Sequence, residues 1–143
     1  MPPKLLALGF AAGFLAVLVF HQAVIAAMWA GGIVPFAPYS LAPRPPLGVP
    51  TFLSLAFWGG VWGVVIAAVA RARPSWPPVL IGLVVGGVGC VLFGFTVVAA
   101  LRGQPLMGGW DAGRWIRSIV INGAWGLGAG WLYAIFARRA AAA

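Results

Sequence analysis

Four stretches of this chain run for about twenty residues or more with no charge, save Arg117 near the start of the last, and no other feature restricts its fold so strongly. They cover residues of about 5–30, 51–70, 78–101 and 115–137. A helix needs about 20 apolar residues to cross the hydrocarbon of a bilayer, because every backbone group must be bonded internally there. Composition agrees: the chain is 63% hydrophobic and 7% charged, against roughly 25% charged for a soluble domain. The expected architecture is all-α, a single integral-membrane domain over 1–143 with four transmembrane helices in a compact bundle. A transmembrane barrel is excluded, because its strands alternate over about 10 residues and these runs are continuously apolar and rich in Ala and Gly.

The ends of the runs carry helix punctuation. Pro50 and Pro78 stand where a helix begins and a backbone donor would be unpaired anyway, and Asp111 in "GWDAGRW" can cap the last helix. The first run follows Lys4 as a secretion signal might, but it far exceeds the roughly 7–15 residues of a signal core and reads as an uncleaved first helix. With four spans, Lys4, Arg71, Arg73, Arg138 and Arg139 fall on the side of the termini, and Arg44, Arg102, Arg114 and Arg117 on the other. That five-to-four bias, with the N-terminal amine, places both termini in the cytoplasm.

The formal charge of +8 does not make a nucleic-acid binder. The basic residues stand singly or in pairs at helix ends, suited to anionic head groups of the lipid bilayer, and form no patch interleaved with aromatics. Cys90 is alone, so neither an intrachain disulfide nor a cysteine cage for metal can form.

The two halves of the chain share a pattern. "WGGVWGVVIAAVAR" from Trp58 aligns with "WGLGAGWLYAIFAR" from Trp125 at a spacing of 67, and Gly9, Gly13 and Phe20 align with Gly82, Gly86 and Phe93 at a spacing of 73. This suggests two parallel helical-hairpin repeats related by an axis along the membrane normal. Gly9 and Gly13, Gly59 and Gly63, Gly82 and Gly86, and Gly126 and Gly130 each form a small-xxx-small pair. Such pairs let helix backbones approach closely. They serve the bundle itself, a homo-oligomer or a larger membrane complex equally well.

The first loop, "GGIVPFAPYSLAPRPPLGVP", holds half of the chain's 12 prolines and should be a stiff, extended cover on the outer face. The third, "RGQPLMGGWDAGRW", places Trp110 and Trp115 at the interface. Together, "FHQ" in the first helix, "PYS" and "PPLGVP" in the first loop and "SLAFWGGVWG" in the second helix resemble a group of small, uncharacterised bacterial inner-membrane proteins. The resemblance implies a four-helix membrane fold and brings no activity, ligand or catalytic residue.

Polar residues inside the spans can be ranked by depth at about 1.5 Å per residue. His21, Trp58, Thr96 and Asn122 come out in one layer of the outer half, with Gln22 and Ser54 somewhat nearer the surface; Trp125 joins them from the fourth helix. Two readings follow for this set. The side chains bridge helices, with His21 or Asn122 accepting from the indoles of Trp58 or Trp125, or they face a shared outer vestibule.

Chemistry is thinly represented. The sole acid, Asp111, lies in a loop, so no paired carboxylates, metal cluster or Ser/His/Asp set can form around His21, and Ser54 beside His21 would lack an orienting acid. One histidine cannot supply both axial ligands of a haem, and proton-coupled export through a buried carboxylate is excluded. No enzyme, cofactor or metal is expected. The favoured function is an accessory, assembly or interaction subunit packing through its glycine faces; the alternative is a small transporter or channel with an outer polar vestibule around His21.

Overall fold

The computed structural model describes residues 3–45 and 47–142. Four helices are long and apolar enough to cross a membrane: α1 (Pro3–Ala30), α2 (Thr51–Ala72), α3 (Pro78–Leu101) and α4 (Ala112–Ala142). Three begin as the sequence dictates. Pro50 and Pro77 precede the first turns of α2 and α3 in extended conformation. Asp111 Oδ1 accepts the Arg114 N–H at 2.7 Å, which satisfies one of the free amides at the start of α4.

The bounds differ from expectation mainly in α4, which starts three residues before 115 and runs to Ala142 rather than 137. Its last turns are Arg and Ala, strong helix formers that need no membrane. Lys4 Nζ donates to the Ala140 carbonyl at 3.1 Å, tying the start of α1 to the end of α4. That places a cation on carbonyls left free at a helix C-terminus.

Backbone proximity organises the bundle. A Cβ at Gly9 would lie 2.6 Å from the Gly63 carbonyl oxygen, and one at Gly13 would overlap the Gly59 carbonyl, so α1 and α2 meet through all four glycines. α3 and α4 meet in the same manner: Gly82 abuts the Gly126 carbonyl, Gly86 the Asn122 carbonyl and Gly130 the Pro78 carbonyl. The named glycine pairs are therefore used within the chain. α1 and α4 join the two hairpins, with Phe20 lying against Gly128 and with Ala16, Val17, Ala56, Ile66, Ile81, Trp125 and Ala129 forming the buried core.

Two helices are not regular. α1 widens to a π-turn over Val17–His21, and α3 does so twice, over Val85–Cys90 and Gly94–Val98. The Gln22 N–H reaches back to Val17 O in place of Leu18 O. Leu18 O instead accepts the Tyr39 hydroxyl at 2.7 Å, so the π-turn hands a backbone acceptor to the first loop.

That loop is more than the extended cover expected from its prolines. Pro43–Arg44 and Val49–Pro50 form a short antiparallel pair, Thr51 Oγ1 donates to the Ala42 carbonyl at 2.8 Å, and Tyr39, at φ 52°, lies across the surface of α1. The third loop winds through four successive left-handed residues, Met107 to Trp110. Gly108 and Gly109 accept such φ values freely, whereas Met107 and Trp110 do so at a steric cost. The Trp115 indole fixes the turn by donating to Met107 O at 2.8 Å.

Candidate functional site

The half of the bundle away from the termini contains a cavity of about 430 Å³, within the size range of small-ligand sites. It is formed where α1 and α4 diverge under the first loop. His21 and Gln22 project from the π-turn of α1 and its end, Ser118 and Asn122 from one face of α4 a turn apart, and Ser40, Arg44 and Thr51 from the loop and the start of α2. Ile25, Phe36, Phe52, Leu55 and Ile121 supply apolar wall.

The polar residues do different work. Gln22 is 2% exposed, and its Oε1 accepts the Tyr39 N–H at 2.8 Å. This bond and the Tyr39 hydroxyl on Leu18 O pin the loop above the cavity. The Asn122 amide donates to Ser118 O at 2.9 Å, one turn back along α4. His21 is the exception: its Nδ1 is buried and meets no hydrogen-bonding group of the protein. An unpaired buried polar atom costs about 1–3 kcal/mol, so His21 carries a polar atom that the fold leaves unsatisfied at the edge of the cavity.

The polar layer read from depth is thus divided. His21, Gln22 and Asn122 come together in the cavity, while Ser54, Trp58, Thr96 and Trp125 do not line it. Trp58 points away from the bundle, 56% exposed, with its ring edge-on to Phe57 at 5.7 Å. Thr96 is also on the outside, with its hydroxyl returned to Leu92 O at 2.7 Å. Trp125 is 2% exposed, and its indole donates at 2.9 Å to Gly13 O, not to His21 or Asn122. Together with Ala16, Val17 and Ala56 it fills the layer beneath the cavity.

Depth counting missed Ser40, Arg44, Thr51 and Ser118. Ser118 was accessible to it, standing four residues before Asn122 on the same face of α4. Ser40 and Arg44 were not, because a loop that folds back has no helical depth scale. Arg44 is half-buried, and its Nε donates to Thr51 Oγ1 at 3.4 Å. Burial, and secondarily the charge of Arg102, push its guanidinium below the ordinary arginine value. No group of three or more His, Cys, Asp or Glu side chains able to hold a metal occurs among the described residues.

These features define a multi-pass membrane protein with a polar cavity in one half of its bundle. No family model, curated protein or solved structure matches the chain.

Proposed function

We propose that this is a non-catalytic protein of the bacterial inner membrane that receives a ligand in the cavity around His21, with both termini in the cytoplasm and the cavity toward the outer face. The observation that carries the reading is the cavity of about 430 Å³ itself, where His21, Arg44, Ser118 and Asn122 converge against an apolar wall. A subunit role resting on the named glycine faces has less support, since those glycines are used between the chain's own helices. The closed layer at Trp125 favours binding over open conduction. A transporter would have to part the glycine seams to pass its cargo.

Thiol accessibility tests this reading. In a Cys90→Ala background, single cysteines at Ser118 and Asn122 should react with a membrane-impermeant maleimide added outside intact cells, and cysteines at Trp58 and Thr96 should not. Silence of positions 118 and 122 toward the reagent from both faces would remove the cavity; labelling only from inside would reverse the orientation.

One observation favours a second reading, an accessory or assembly subunit. Trp58 lies about seven residues, roughly 10 Å, into its span and presents its ring outward. Lipid offers no acceptor to an indole N–H at that depth. A neighbouring helix would. A stoichiometric partner that co-purifies in mild detergent and is lost with Trp58→Ala would favour this reading.

A further inference from the structure

The His21 cavity adjoins a second one. Phe36, Ser118 and Ile121 line both, and the neighbour, about 280 Å³, adds Gln104, Arg114 and Arg117. Arg44 and His21 stand on one side of this shared wall, and the two α4 arginines on the other. None of the residues lining either cavity is acidic.

The chain holds one acid and four arginines on this side of the bundle. That acid is already engaged: Asp111 Oδ1 accepts the Arg114 N–H at 2.7 Å and lies 4.0 Å from Arg117 Nη2. Arg44 therefore has no carboxylate to pair with, and its one side-chain hydrogen bond, from Nε to Thr51 Oγ1, is long at 3.4 Å. A guanidinium partly withdrawn from water, near Arg102 and with its terminal nitrogens directed to no protein acceptor among the described residues, is free to receive an external anion. Its planar fork suits an oxyanion better than a halide. The apolar wall of Phe36, Phe52 and Ile121 offers no such match and suits a hydrocarbon portion.

We propose that the His21 cavity binds a phosphate-type oxyanion at Arg44, any hydrocarbon portion of the ligand lying against the wall of Phe36, Phe52 and Ile121 beside His21. This rests on the ligand-binding reading above and gives that ligand its chemistry. Cations are rejected, since no carboxylate faces them. The phosphate can belong to an amphiphile's head group or to a free phosphate.

His21 is the only histidine in the chain, so its imidazole C–H resonance is a single reporter placed in the cavity. The test is a titration of full-length protein in uncharged maltoside micelles, followed at that resonance, with octyl phosphate, inorganic phosphate and octanol as probes. Octyl phosphate should shift the resonance saturably. Its affinity should fall about tenfold or more in Arg44→Gln, fall by a smaller factor of about three to five in Arg44→Lys, which keeps the charge and loses the fork, and be unchanged in Arg138→Gln at the opposite face. An equal response to inorganic phosphate assigns the site to a free phosphate; a response to octyl phosphate alone assigns it to an amphiphile. Octanol acting as well as octyl phosphate, or Arg44→Gln binding like the parent, overturns the oxyanion inference and leaves ligand binding standing. If no probe moves His21, while the maleimide reaches positions 118 and 122, the oxyanion inference falls and the cavity remains; silence in both experiments removes both.

Discussion

In the seam between α1 and α2, Gly9 sits between Gly63 and Ala67; in the seam between α3 and α4, Gly82 sits between Gly126 and Gly130. Aligned by sequence, Gly126 and Gly130 correspond to Gly59 and Gly63, so the two hairpins use matched residues one helical turn out of step. The tryptophans at the head of the pattern separate further. Trp125 turns into the bundle and bonds to Gly13 O, whereas Trp58 turns out of it. Glycine seams set how closely two helices approach, but not which way a neighbouring large side chain faces. The asymmetry makes the site: Trp125 closes the floor under a cavity that Asn122 and Ser118 line from the same helix.

The seams should fail alike. Gly13→Ala and Gly126→Ala each drive a methyl into a facing backbone and should each destabilise the bundle by about 1–3 kcal/mol, read as a lower unfolding midpoint in detergent. Gly94→Ala, with open space around it, should be neutral or gain up to about 1 kcal/mol. A large loss from one seam and none from the other would break the comparison.

The tryptophans should differ. Trp125→Phe removes the donor to Gly13 O and should cost about 1–2 kcal/mol, while Trp58→Phe in the isolated protein should stay within about 0.5 kcal/mol. Equal losses would mean that both rings are packed. Next in size, Gln22→Leu deletes the acceptor for Tyr39 N–H and should cost about 1 kcal/mol. Its sharper sign is faster hydrogen exchange across residues 37–44, with the α3–α4 loop unchanged. The smallest effect belongs to Lys4→Met, a few tenths of a kcal/mol at the end of α4, visible as fraying of its last turn.

How much of this was legible in sequence follows from what each signal measures. Apolar length with charges kept to the ends gives the four helices, because backbone in hydrocarbon must be bonded internally. Asp111 could be identified as a cap because capping is local. Depth along a helix gives height but not direction: successive residues rotate by about 100°, so Trp58 and Asn122 share a level while facing opposite environments. The π-turns hide further, since one inserted residue rotates everything beyond it and periodicity cannot register the change. His21 lies in such a turn. Arg44 was beyond reach for another reason, as its place depends on a loop pinned by Tyr39 to a carbonyl that the π-turn released.

Lipid quenching of tryptophan fluorescence tests the central asymmetry most directly. In bilayers carrying brominated acyl chains, Trp58→Phe should lower the quenchable share of the emission, whereas Trp125→Phe should remove emission that bromine does not reach. The opposite pattern, or equal quenching of the two rings, would contradict the arrangement of Trp125 as the floor of the site and Trp58 as the outward face.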